Sequence, residues 1–402
     1  MKITQLETIL LTGRWCDDPS FPQALHSTAF IRIRTDKALE GIGETTFGYF
    51  APDTVPAIVE FFEPVLLGRN PEQLTRITRD LYDESVFWAR NGAGRAVISG
   101  IELALWDLAG KMHQVPVYKL LGGAVRERIP VYASGGPTAW PKEKNKQKID
   151  HYRRLGYRAA KISTGFYELT PLAANQAQTR LHQVPIPHSR LLDELESTIN
   201  MLREEFGPEF ELAIDGHEGG VPNPIRASEA ISIAKRLERF RLRFYEEPLA
   251  YTNMEGYREL RRESLIPIAG GESLSGIDQF HPYISQGALD LIQPDLGFAG
   301  GLSETIRIMH DAEAHNVGLA IHSGGAVGPV MAASWHLAAA SLSLEWLETV
   351  VAPRTIMQDF LADPLEIKNG CVGLPESPGL GVRLTPELIE KYRFIPKSGE
   401  RT

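Results

Sequence analysis

Between Asp215 and His322 an ionisable residue ends or follows a short apolar run five times. The runs read AIDGHE at Asp215, FYEEPL at Glu246, AGGES at Glu272, QPDLG at Asp295 and AIHSGG at His322. A short apolar run closed in this way reads as a buried strand. The intervals are 31, 26, 23 and 27 residues. Each is close to one strand, one helix and two loops in a parallel α/β barrel of roughly 250 residues and eight units. Five such runs in phase deliver five ionisable side chains to the same end of one sheet, which is how a site is built.

Eight runs fit that period: IPVYAS (129–134), RAAKIS (158–163), ELAID (211–215), RFYEE (243–247), PIAGG (267–271), LDLIQ (289–293), GLAIH (318–322) and LEWLE (344–348). Most are separated by helical patterns such as SEAISIAKRLERF and GLSETIRIMHDAEAHN. Right-handed βα repetition eight times closes a barrel. The interval from Ser163 to Glu211 is too long and carries the polar stretch TGFYELTPLAANQAQTRLHQVPIPHSR, expected to run over the barrel mouth.

Ahead of the barrel, residues 2–12, 28–35 and GIGETT pattern as strands, with GRWCDDPSFPQALH and FGYFAPD read as loops. From Pro52 to Leu121 the pattern is helical. Ile98, Ile101, Leu105 and Leu108 share one face, and LLGG (120–123) reads as the helix stop. In the tail, Asn369-Gly370 fits a hairpin turn. The expected fold is α/β, a modified TIM (β/α) barrel with an α+β capping domain built from N- and C-terminal segments. Its divisions are the cap at 1–125, the barrel at 126–352 and a segment at 353–402 returning to the cap.

A chain of 402 residues exceeds one ordinary core. Its net charge of -9 weighs against nucleic acid, but not against small anions, because a bound cation reverses the local sign. Two distant cysteines, Cys16 and Cys371, make no disulfide framework and fit a reducing compartment. The apolar run in MKITQLETILLTGRW is too short for a signal sequence, and no apolar stretch reaches about 18 residues. A soluble, cytoplasmic protein without membrane or nucleic-acid partners is expected.

Asp215, Glu246 and Glu272 would end three consecutive strands at one mouth. Three converging carboxylates repel one another unless a cation neutralises them, and an all-oxygen set selects Mg²⁺ or a similar hard ion. Any one of them alone is equally readable as a helix cap or an arginine partner. Lys161 in AAKIS points to the same mouth, suited to hold a substrate carboxylate, and Ser163 shares its side. Asp295 beside His322 would fix the imidazole tautomer and raise its pKa, making a base. His217, two residues after Asp215, reads as a ligand, a proton donor or a loop residue. Glu348 reads as a partner for substrate charge or as an acid at a helix start. In the cap loops 13–27 and 47–53, Arg14, Trp15, His26, Tyr49 and Phe50 are candidates for contacting distal substrate hydroxyls, and equally for packing.

The ordered set GIGE, SGIELALWDLAGK, LLGG, AAKIS, AIDGH, FYEEP, GGES, QPDLG, GGLSE, AIHSGG and PGLGV resembles the enolase superfamily, specifically its mandelate racemase subgroup, over nearly the whole chain. The resemblance implies an α+β cap over a modified TIM barrel. It implies Mg²⁺ held by Asp215, Glu246 and Glu272, an Asp295–His322 dyad and an eighth-strand acid, Glu348. It also implies a sugar-acid substrate and an even-numbered homo-oligomer. One departure matters: where the subgroup's second strand carries Lys-x-Lys, this chain has Lys161 and then Ser163. The Asp-x-His at Asp215 and His217 is similar to several sugar-acid dehydratases of the subgroup, which use that histidine as general acid or base. The long stretch after the second strand resembles that of mannonate-type dehydratases. The implied activity is dehydration of an aldonate or aldarate to a 2-keto-3-deoxy acid through an enediolate. Epimerisation, racemisation or cycloisomerisation through the same enediolate, and sugar-acid binding without catalysis, are the competing expectations.

Overall fold

The structure, a computed structural model, describes residues 1–14, 25–134, 142–164, 167–169, 183–220, 225–350 and 355–396. An antiparallel meander opens the chain: β1 (Ile3–Arg14), β2 (Leu25–Thr35) and β3 (Glu40–Thr45), in that order across the sheet. Helices α1 (Phe47–Phe50), α2 (Val55–Leu66), α3 (Leu74–Glu84), α4 (Gly92–His113) and α5 (Val117–Leu120) follow. The α4 stripe of Ile98, Ile101, Leu105 and Leu108 is fully buried, packed with Ile31 and Ile33 of β2. Each such aliphatic contributes about 1.5–3 kcal/mol relative to exposure, so this stripe is what joins helix to sheet.

Two local expectations are corrected here. FGYFAPD is not a loop: it forms α1 and a 3₁₀ turn, Pro52–Thr54, and Pro52 suits a first helical position because its missing N–H would be unpaired there anyway. Nor does LLGG end the long helix. That helix stops at His113, where Gln114 turns left-handed (φ 56°) and donates its N–H to the carbonyls of Gly110 and Lys111. LLGG ends only α5.

The second layer begins with β4 (Ile129–Ser134), α6 (Lys142–Arg154) and β5 (Ala159–Ser163). Within the long interval, β6 (Tyr167–Leu169) and β7 (Gln183–Pro185) pair antiparallel before α7 (His188–Phe206). Regular units then resume: β8 (Glu211–Asp215), α8 (Ala227–Leu237), β9 (Tyr245–Glu246), α9 (Met254–Glu263), β10 (Ile268–Gly270), α10 (Ile277–Ser285) and β11 (Leu291–Ile292). Next come α11 (Leu296–Ala299), α12 (Gly301–Ala314), β12 (Gly318–Ile321), α13 (Pro329–Ala340) and β13 (Leu344–Val350). Among the described residues eight parallel strands, in the order β4-β5-β8-β9-β10-β11-β12-β13, close into a ring through the pairing of β13 with β4. All eight sequence-predicted strands are present.

The barrel is filled at its base by one side chain from each of the eight segments: Tyr132, Ala159, Ala213, Phe244, Ala269, Leu291, Ala320 and Trp346. Alanines set against three aromatics and a leucine let large and small groups interdigitate, so the barrel is a packed core and not a pore.

After α14 (Thr355–Phe360), Asn369 (φ 53°) and Gly370 (φ 74°) make the tight turn. Its strand β14 (Cys371–Val372) pairs antiparallel with β4 of the barrel. The tail meets the cap at several points. The Phe360 ring lies 4.9 Å from that of Phe30, and the Leu380 N–H donates to Asp107 Oδ1 (2.8 Å). Beyond α15 (Pro386–Lys391) the Thr12 N–H donates to the Tyr392 carbonyl (2.9 Å) and the Ile395 N–H to Thr12 Oγ1 (3.0 Å). No helix among the described residues is long and apolar enough to cross a membrane.

Candidate active site

Side chains alternate along a strand, so the residue two places beyond an inward-facing one also points inward, one layer nearer the C-terminal mouth. Counting two places on from the basal layer gives Ser134, Lys161, Asp215, Glu246, Gly271, Gln293, His322 and Glu348. One register rule therefore collects most of the candidate site. The exception is the fifth strand, where Gly271 adopts φ 127° and a side chain would run into Phe280. The chain turns there, and the next residue, Glu272, supplies the carboxylate.

The carboxylates of Asp215, Glu246 and Glu272 offer oxygens that lie within 4.8 Å of one another. Lys161 Nζ sits among acids, 2.6 Å from Glu246 Oε1, 3.0 Å from Asp215 Oδ2 and 3.3 Å from Glu348 Oε1. Burial disfavours its charge, but these carboxylates outweigh burial and hold the ammonium well above its ordinary range. For Glu246, burial and the neighbouring Asp215 push the carboxyl well up, against the pull of Lys161. Glu348 goes the other way: burial would raise it, yet Lys161 and His322 bring it down to about 2. It also accepts from the Ser323 N–H at 2.8 Å.

Asp295 lies one further step beyond Gln293, and Asp295 and His322 form an isolated parallel bridge beyond the ends of β11 and β12. His322 Nδ1 is 2.9 Å from Asp295 Oδ2, and its Nε2 is 3.3 Å from Glu272 Oε2 and 3.7 Å from Glu348 Oε2. Burial alone lowers the imidazole, but Glu272, Glu348 and Asp295 together raise it well above its ordinary value.

His217 reaches the site by a turn and not by continuation of β8. The strand ends at Asp215, and His217 is left-handed (φ 53°). Its N–H donates to Asp215 Oδ1 (3.0 Å), while Nε2 lies 3.2 Å from Asp215 Oδ2. Nδ1 is 3.2 Å from Ser163 Oγ. The serine that replaces a lysine is therefore the neighbour of this histidine.

Two residues passed over by sequence reasoning belong to the same constellation. Gln293, fully buried, donates from Nε2 to Glu246 Oε2 at 2.6 Å, and the two-residue register from Leu291 was the signal for it. Thr46, from the cap, donates to Asp295 Oδ1 at 2.7 Å, and no local pattern announces that pairing. Of the cap-loop candidates, His26 is buried, with Nε2 3.2 Å from the Gly325 carbonyl and its ring 4.5 Å from that of Tyr49. Phe50 is exposed, and Arg14 is exposed at the end of β1. Trp15 and most of the stretch after Gly165 lie outside the described residues.

The donor chemistry suits a divalent cation. Three all-oxygen donors from successive strands face one another, and among the described residues Asp215, Glu246, Glu272, Asp295 and Glu348 share Lys161, His217 and His322 as their cationic or imidazole partners. That imbalance is what a hard dication offsets.

Comparison with known proteins agrees with this geometry. Residues 146–388 match the family described as "Enolase C-terminal domain-like", and residues 23–122 match the "Mandelate racemase / muconate lactonizing enzyme, N-terminal domain". The chain is 32% identical to a D-galactonate dehydratase from Cronobacter sakazakii over 97% of this chain and 94% of that protein. It is 30% identical to a D-galactarolactone cycloisomerase from Agrobacterium fabrum over 98% and 99%. A racemase from Streptomyces coelicolor, solved with bound magnesium, superposes with a TM-score of 0.80 at 27% identity, covering 97% of this chain and 99% of that one. With a closed barrel, a meander cap and acids at successive strand ends, the chain belongs to the enolase superfamily, in its mandelate racemase/muconate lactonizing enzyme subgroup.

Proposed function

We propose that this protein dehydrates a sugar acid, an aldonate or aldarate, to a 2-keto-3-deoxy acid with Mg²⁺ at Asp215, Glu246 and Glu272. The observation that carries the reading is the placement of two imidazoles. His217 follows β8, the third strand of the ring, and His322 follows β12, the seventh. In a ring of eight these strands are opposite, so the two rings address the carboxylate cluster from facing sides. Abstraction of a proton from one side and protonation of a leaving hydroxyl from the other need that arrangement. Several relatives are named as acid-sugar dehydratases, which supports the substrate class.

When bound, Mg²⁺ supplies positive charge for the substrate's carboxylate oxygens. Lys161, set among the carboxylates, adds to the field that favours negative charge developing there. Asp295 occupies His322 Nδ1, so Nε2 is the nitrogen left to take the proton from carbon 2. The electron pair of the broken C–H bond delocalises into the carboxylate as an enediolate. As the carbon 3–oxygen bond breaks, His217 gives its proton to the departing hydroxyl, which leaves as water. The resulting enol ketonises to the 2-keto-3-deoxy acid. Glu348, held by the Ser323 N–H and Lys161, keeps a negative charge beside His322.

The cycloisomerase relative, matched over nearly both whole chains, favours a second reading in which the same enediolate is reprotonated or cyclised without loss of water. A panel of aldonates and aldarates with Mg²⁺ in D₂O, followed by NMR, separates the two. A 2-keto-3-deoxy product is expected, with turnover in His322→Asn down by roughly 10²–10⁴-fold. Deuterium at carbon 2 with no keto product would replace dehydration by epimerisation, and full turnover in His322→Asn would remove the assigned base.

A further inference from the structure

Asp295 has three polar side-chain contacts, and they divide unequally between its two oxygens. Oδ1 accepts from Thr46 Oγ1 at 2.7 Å and from the Gly297 N–H at 2.8 Å. Oδ2 has His322 Nδ1 at 2.9 Å. One oxygen is thus saturated by fixed donors, and the other is left to the imidazole. A carboxylate held on one side by two donors cannot rotate to present the wrong oxygen. The ring that leans on it inherits that restriction.

Of the two fixed donors, Gly297 is local, two residues beyond Asp295. Thr46 lies 249 positions earlier and in the other layer. It stands just past the end of β3, buried, and its own N–H donates to the Gly297 carbonyl at 3.3 Å. A side chain at Gly297 would run into Thr46 Oγ1, so the glycine is what permits the approach. Two residues before Thr46, within β3, Glu44 accepts from the N–H groups of Val327 (3.0 Å), Gly328 (3.1 Å) and Val330 (3.1 Å). Those groups belong to the segment that follows His322. The end of one cap strand therefore grips both halves of the pair: the carboxylate through Thr46 and the histidine's loop through Glu44.

From this geometry we infer that Thr46 is a positioning residue for the Asp295–His322 pair, so that the cap domain contributes to proton transfer as well as to enclosing the substrate. The inference rests on the role proposed above for that pair. Partners of this kind, one step removed from the reacting group, typically change activity 10- to 100-fold when lost. Because Thr46 is buried behind Asp295, the change falls on kcat and leaves KM nearly alone.

The test uses the full-length protein with Mg²⁺ and four forms: wild type, Thr46→Val, Thr46→Ser and Gly297→Ala. Steady-state turnover of a sugar acid is measured alongside the downfield Nδ1 proton of His322 in ¹⁵N-histidine-labelled protein, identified by its absence from His322→Asn. Thr46→Val is expected to lower kcat by about ten- to a hundredfold and to shift or broaden the His322 signal. Thr46→Ser, which keeps the donor, restores both, and Gly297→Ala, which displaces the hydroxyl, resembles the valine form. An unmoved His322 signal in Thr46→Val overturns the inference. So does a loss of turnover that follows melting temperature and is not restored by serine, or a rise in KM at constant kcat. If the wild type turns over no sugar acid, the proposed reaction fails, while the NMR signal still decides whether Thr46 orders the pair.

Discussion

Two sets of buried acids occupy this molecule, and they are satisfied in different ways. At the junction of cap and barrel, Glu44 accepts from Thr28 Oγ1 and three main-chain N–H groups at the start of α13. Glu102 accepts from the N–H groups of Leu302 and Ser303 at the start of α12, from Ser303 Oγ and from Trp106 Nε1. Asp107 takes the N–H groups of Ile42 and Leu380 together with Lys111. These are helix caps and cross-braces, with the anion placed where free N–H groups gather. At the barrel mouth, by contrast, the acids lean on groups that themselves carry charge and are shared. Lys161 serves Asp215, Glu246 and Glu348, while His322 serves Glu272, Asp295 and Glu348. Amide-satisfied acids hold the fold together. Acids that compete for too few cations make a site.

That contrast is sharpest if one acid of each kind is removed. Glu246→Gln should lower turnover by three orders of magnitude or more, roughly 4 kcal/mol of barrel-mouth chemistry, while the melting temperature in chelator changes little. Unchanged turnover would place the cation elsewhere. Glu102→Ala should do the reverse. With the N–H groups of Leu302 and Ser303 and the Ser303 hydroxyl left without this acceptor, the fold loses about 3 kcal/mol or more in denaturant titration, whereas turnover per folded molecule is retained.

A third comparison uses pH. Burial pushes the Glu44 carboxyl up to about 7, against its four donors. A folded-state value above the unfolded one means that the folded state binds the extra proton. The contribution is therefore full below pH 4.5 and is lost as pH rises through about 7. The stability of wild type minus that of Glu44→Gln should fall by about 3 kcal/mol across that window, and a difference that stays flat would mean the group does not titrate there. The smallest effect belongs to the site's newest neighbour. Ser163→Ala, which removes the hydroxyl 3.2 Å from His217 Nδ1, should cost about tenfold in kcat, with Thr in its place recovering most of it. No change would assign Ser163 to packing.

Much of this was legible in one dimension. The strands IPVYAS, AAKIS, ELAID and GLAIH appear within a residue of where they were expected, because a buried parallel strand needs an uninterrupted apolar run and a loop at each end. Lys161, Asp215, Glu246 and Glu348 follow from the same rule, since alternation alone turns them inward. Helix ends were less legible: Gln114 stops α4 in a conformation usually left to glycine, and no residue type announced it. The left-handed backbone at His217 was not legible either, because such a conformation at a histidine has no sequence signature.

What the sequence by itself determined about this protein is the ring of strands and the acid, lysine and histidine residues at its mouth. Periodicity is a local property, and each strand carries its own. What only the tertiary structure decided is which buried acid meets amides and which meets another charge. It also decided that Ser163 stands beside His217 and that a cap threonine holds Asp295. Those pairings join residues 54 and 249 positions apart. A hydrogen bond depends on distance in space, which the chain acquires only when two separately patterned layers pack face to face.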